Sequence, residues 1–187
     1  MRVGLRSLAG LPCDRRGAIL AELAIVLPVL VVILLGCFEA TRFVLLRQKL
    51  DRAASSMADL VAQSDGITVA QINDLFTAAA DQLSPFDLAA NGRVIVSSIT
   101  RPTVAAAQVA WQRLSSGTLS ATSAVGSEGA TAVLPVGLIV RTGENIIVAE
   151  SFYNYSPFFL NSFLSPAVFR HVAFNRPRLI NLSVISP

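Results

Sequence analysis

A lone acid marks where this chain has chemistry to offer. Glu22 is the only charged residue from Ala18 to Phe38, and Arg15-Arg16-Gly17 stands immediately before that run. An ionised side chain at the centre of a membrane helix costs about 3 kcal/mol on insertion scales. Glu22 lies roughly one helical turn inside the run, where the cost is smaller but real. Such a residue either reaches back to the headgroups or finds a partner. Gly17 points to the partner. A cut between Gly17 and Ala18 would leave a free amine on Ala18, and Glu22 of a neighbouring copy would neutralise it. Low local dielectric strengthens that attraction. The chemistry is then hydrolysis of a peptide bond in this chain, performed by another protein, followed by ion pairing.

No second constellation competes. His171 is the only histidine, so the many serines have no other imidazole to act as base. A lone histidine on an expected strand is ordinarily a surface or satisfied residue. There is no Cys/His spacing for zinc and no glycine loop to cradle phosphate. Asp65, Asp81 and Asp87 fall at helix edges and turns, where capping accounts for them. Basic residues do not interleave with aromatics as a nucleic-acid groove requires. Cys13 and Cys37 are the only cysteines. One precedes the apolar run and the other lies within it as a small apolar filler, so neither can staple an exported domain. We therefore expect no enzyme, no catalytic residues, no cofactor, no metal and no nucleic-acid partner.

The element that must position Glu22 is a helix over 18–38. At about 1.5 Å per residue it spans roughly 31 Å, the hydrocarbon thickness of a bilayer. The formal charge of +3 is localised before it. Residues 1–17 carry Arg2, Arg6, Arg15 and Arg16 against Asp14, so eleven residues of each sign remain beyond them. The basic balance thus marks a leader, with the amino terminus cytoplasmic and the carboxyl terminus outside. Arg42, Arg47, Lys49 and Arg52 follow the run closely and pull against that orientation; Glu39 and Asp51 offset them in part.

Arg-Arg-Gly, then Ala18-Ile19-Leu20-Ala21-Glu22, then an apolar run containing Pro28, resembles the processing site of type IV prepilins. Ala18 in place of Phe after the cut is similar to the TadE-like pseudopilins of the tight-adherence (Tad) pilus. The run Ala21-Glu22-Leu23-Ala24-Ile25-Val26-Leu27-Pro28 resembles theirs, and the likeness is closest over residues 15–60. A looser likeness lies in Tyr153-Asn154-Tyr155-Ser156-Pro157-Phe158-Phe159 and Arg176-Pro177-Arg178. The resemblance implies cleavage after Gly17 by a prepilin peptidase in the inner membrane. It implies Glu22 as an assembly residue and other pilins, pseudopilins and the pilus assembly platform as partners. Two rivals stand beside it. Leu34-Leu35-Gly36-Cys37 resembles a lipoprotein box, with Cys37 lipidated. Alternatively the chain is a signal-anchored periplasmic binding domain that never polymerises.

The rest of the chain predicts an α+β protein, pilin-like. Four units are expected: a leader over 1–17, a transmembrane helix over 18–38, an amphipathic continuation over 39–64, and a periplasmic head over 65–187. Ala40, Phe43, Val44, Leu46, Leu50, Ala53, Ala54, Met57, Leu60 and Val61 recur at three- and four-residue steps. A kink at Pro28 is possible in principle. Thr68 is placed to cap a helix over 69–83, with Ile72, Leu75, Phe76, Ala79 and Leu83 on its apolar side. Asn91-Gly92 reads as a turn. Strands are expected over 93–99, 108–113 and 145–153, with a last one over 168–174 or 179–185. Residues 115–129 read as a flexible surface loop. The aromatics of 152–164 read as packing, with Phe158, Phe159, Phe163 and Leu164 as the alternative contact patch for another subunit.

Overall fold

The computed structural model describes residues 15–103, 105–159, 161 and 165–186. It is an α+β fold: α1 (Arg15–Gln63), α2 (Val69–Leu83), α3 (Leu88–Asn91), β1 (Gly92–Thr100), β2 (Gln108–Leu114), β3 (Asn145–Tyr155) and β4 (Ala167–Asn175). The strands form one antiparallel sheet in the order β2-β1-β3-β4.

α1 is one 49-residue helix that continues through Pro28. Arg15, Arg16 and Gly17 belong to it, so the helix does not start at Ala18. Its second half lies on the sheet. Leu46, Leu50, Ala53, Ala54, Met57 and Val61 are buried as their spacing predicts. Ala58 and Ala62 join them, while Ala40, Val44 and Leu60 stay exposed. The apolar stripe thus shifts around the helix along its length, because β3 and β4 support one part and α2 another. α2 starts at Thr68, whose hydroxyl accepts from the Gln71 N–H at 3.2 Å while the Gln71 side chain accepts from the Thr68 N–H at 2.8 Å. Lys49 of α1 donates to the carbonyl of Gln82 at 2.8 Å, placing a cation at the carboxyl end of α2.

The sheet has two covered faces. Val94, Val96, Trp111, Ile147, Ala149, Tyr153 and Tyr155 face the helices. Ile99, Val109, Val125, Val140, Ile146 and Val148 form a second core on the other face. Strict alternation would put Val109 and Trp111 on one face. They lie in different cores because the β1–β2 register slips by one residue between Ser98 and Ile99, a bulge at Ala110.

The chain corrects two local expectations and decides a third. Asn91-Gly92 is not a free turn. Asp87 caps α3 by accepting from the Ala90 N–H at 2.9 Å, and Gly92 is the first residue of β1. Glycine is required there by close approach: a Cβ would lie 2.6 Å from Leu88 Cδ1 and 2.9 Å from the Phe152 carbonyl oxygen. The stretch 115–129 has no strand but is pinned. Glu150 of β3 is fully buried on the second face, where it accepts from Ser123 and from the Ala124 N–H. Arg170 of β4 pairs with the same carboxylate at 2.7 Å. Of the two choices for the last strand, the first is β4; residues 179–185 form none. Leu182 is buried instead, and its carbonyl accepts from Trp111 Nε1 at 2.8 Å and Ser98 Oγ at 2.7 Å.

Candidate functional site

The residues singled out by spacing all lie on the first turns of α1. Gly17 and Ala18 are helical, and a Cβ built on Gly17 meets nothing within 4 Å. Among the described residues there is therefore no steric reason for glycine at that place. Glu22 is exposed and has no hydrogen-bonding or ionic partner among the described residues. It sits one turn after Ala18, on the same side of the helix. Arg15 and Arg16 fall on the first turn, with side chains outside the described residues. Cys13 and the rest of 1–14 lie outside them too, as do Phe163 and Leu164. Cys37 is exposed, so it fills no interface within this chain.

From Ile19 to Leu34 every apolar side chain is exposed, Ile25 at 73% and Leu34 at 69% among them. The helix is long and apolar enough to cross a membrane, with a window of mean hydropathy 2.8 of which none is buried. Such an uncovered surface is far larger than the apolar patches soluble proteins tolerate.

The exposure ends at Glu39, which is 3% exposed. Its carboxylate accepts from the Tyr155 hydroxyl, from the Phe158 N–H at 3.0 Å and from the Phe159 N–H at 3.1 Å. Burial by itself would raise the carboxyl pKa. The hydrogen bonds from Tyr155, Phe159 and Phe158, with the nearby charge of Arg42, outweigh it and hold Glu39 below its ordinary value of 4.5. Burial, then the hydrogen bond and charge of Glu39, push the Tyr155 phenol up to about 12. Tyr155 therefore stays a proton donor and Glu39 an acceptor. Around this pair, Phe43 meets Tyr155 edge-on at 5.9 Å and Phe169 at 5.2 Å. Arg47 lies over Phe43 and Phe169 at 5.1 and 5.3 Å. The aromatic segment thus splits in role. Tyr153 and Tyr155 pack in the core, whereas Phe158 and Phe159 remain exposed at 66% and 43%.

Sequence reasoning used Glu39 only as a charge flanking the run. The signal for more was present: Glu39, Phe43, Leu46, Leu50, Ala53 and Met57 follow one three-and-four-residue series, so the acid occupies the first position of the buried stripe. His171 is half-buried, 3.9 Å from Asp51; Ser151, its cross-strand neighbour, donates to the Leu50 carbonyl at 2.9 Å instead. Among the described residues no group of His, Cys, Asp or Glu is arranged to hold a metal.

Fold and helix together define a class: an α+β head carried on the second half of a helix whose first half is bare and apolar. The model of the TadE-like protein family matches residues 17–59, which runs from Gly17 past the buried Glu39. The likeness read from Gly17, Glu22 and Pro28 is borne out over that segment, and it implies a protein associated with the Tad pilus. No curated protein and no solved structure matches the chain.

Proposed function

We propose that this chain is a minor pilin or pseudopilin of a Tad-type pilus. It enters the inner membrane amino-end-in, with residues 1–17 as a cytoplasmic leader and the head in the periplasm. A prepilin peptidase hydrolyses the Gly17–Ala18 bond, with Arg15 and Arg16 holding the leader at the cytoplasmic surface. The new Ala18 amine of one copy pairs with Glu22 of a neighbouring pilin or pseudopilin, and the bare face from Ile19 to Leu34 packs against other such helices in the assembly platform or filament. The head keeps its second half of α1 docked throughout. No catalytic role is assigned to any residue.

The observation that carries this reading is Glu22: exposed, without a partner among the described residues, and set in a helix otherwise without charge from Ala18 to Phe38. An acid in that setting needs a cation from outside the fold. Gly17 supports the source of that cation, since nothing among the described residues asks for glycine there. The mass and amino-terminal sequence of the protein recovered from its host's membranes test the reading. A chain starting at Ala18 is expected. A chain starting at Met1 sinks it, and a lipidated chain starting at Cys37 replaces it with the lipoprotein reading. Replacing Gly17 by a bulky residue should leave the leader attached. Glu22→Ala should be cut normally yet fail to support pilus assembly.

A further inference from the structure

Where α1 leaves its bare stretch, the head puts down an apolar corner beside it. Phe38 is half exposed, and its ring meets Phe159 edge-on at 5.5 Å. Phe159 meets Phe158 at 4.8 Å, again edge-on. Arg42, one turn above Phe38, lies over Phe158 at 5.5 Å and over Phe86 at 5.9 Å. Three exposed phenylalanines and one guanidinium therefore share one corner. The corner does not hang loose. The Glu39 carboxylate holds the backbone N–H groups of both Phe158 and Phe159, so their height along α1 is fixed.

That height is what identifies the occupant. From Ala18 to Phe38 the helix rises about 30 Å, the hydrocarbon thickness of a bilayer. Phe38, Phe158 and Phe159 then lie at the far boundary of the hydrocarbon, continuous with the bare helix below. Aromatic rings and apolar side chains backed by a basic residue are what the headgroup–acyl boundary accepts. Arg42, whose guanidinium lies over Phe158 and Phe86, puts a cation at the height of the lipid phosphates. We propose that this corner is a membrane foot: Phe158 and Phe159 insert into the lipid interface around α1 and fix the head's orientation on the bilayer. This rests on the reading of 18–38 as a span but not on cleavage, on which side the head lies, or on the pilus.

The full chain in nanodiscs of phosphatidylethanolamine and phosphatidylglycerol, one chain per disc, tests the foot. Phe158→Trp adds an indole to the native Trp111, which is buried and reports whether the head is folded. With bromine placed on the acyl chains close to the headgroups, the added emission should fall at least twofold relative to unbrominated lipid, while wild-type emission changes little. Phe159→Trp should behave the same way and serves if the first variant loses the Trp111 signal. Leu30→Trp is the span control, expected to be quenched best by bromine deep in the chains. Quenching at Leu30→Trp without quenching at either phenylalanine overturns the foot and leaves the span standing. No quenching at any of the three overturns both. If brominated lipid does not quench the phenylalanine variants but their emission shifts when two chains share a disc, the corner binds a second copy instead, and the lipid assignment is wrong.

Discussion

Two glutamates on one helix meet opposite fates. Glu22 stands among exposed apolar side chains with no partner among the described residues, while Glu39 is buried and takes three hydrogen bonds from the head. The halves of α1 around them differ in the same direction. The more apolar half is the one the fold leaves bare; the more polar half carries the core. Hydrophobicity alone would have predicted the reverse for a water-soluble protein. The difference shows that the first half is built for a surrounding this chain does not supply, whereas the second half is complete within it. An acid that the fold satisfies belongs to stability. An acid that the described fold leaves unsatisfied is the one we propose for assembly.

The contrast is easiest to break at the core. Leu50 is fully buried beneath the sheet, so Leu50→Ala should destabilise the head by about 3 kcal/mol, a lost side chain plus a cavity. Leu30, exposed on the bare half, should tolerate the same change with no shift in the unfolding midpoint. Denaturant unfolding of the full chain in a mild detergent, followed by Trp111 fluorescence, checks both. Equal losses at the two positions would mean that the bare half supports the head. Next in size is Glu39→Gln. An amide keeps one acceptor for the Tyr155 hydroxyl but turns N–H groups toward those of Phe158 and Phe159. A loss of about 2 kcal/mol is expected, in the range of a charged hydrogen bond removed from a buried place.

The same contrast explains what the sequence disclosed. The long helix, the capped α2 and the four antiparallel strands were legible because period, caps and β-branched runs are local signals. The bare face and Glu22 were legible because charge is conspicuous in a greasy run. Glu39 was not, because its partners Tyr155, Phe158 and Phe159 lie more than a hundred residues along the chain. Glu150 escaped for the same reason: a buried acid in β3 makes sense only once Arg170 and the 115–129 stretch are brought to it. The opposite faces of Val109 and Trp111 depend on a bulge, and a one-residue slip in register leaves no mark in composition.

Acid should sharpen the comparison further. Glu39 is held below its ordinary value in the folded chain, so the folded state binds its proton less readily than the unfolded one. The stability it adds is present above about pH 4.5 and drains away as pH falls through the lowered folded value. Wild type should therefore lose its advantage over Glu39→Gln as pH drops below 4.5, with the two converging in strongly acidic solution. A gap between them that stays constant from neutral to acidic pH would mean that the carboxylate charge contributes nothing.

The smallest effect is the most telling. Glu22→Gln removes a charge from a side chain that has no partner among the described residues. The unfolding curve of the head in detergent should be unchanged. The same substitution should still impair pilus assembly in cells, because the amide cannot neutralise the Ala18 amine of a neighbouring copy. A shift in head stability would show that Glu22 is already engaged within the chain and would remove the reason to look for its cation elsewhere. Unchanged stability with normal assembly would leave the acid as a residue that merely reaches the headgroups, and the division of labour between the two glutamates would fail at Glu22 while holding at Glu39.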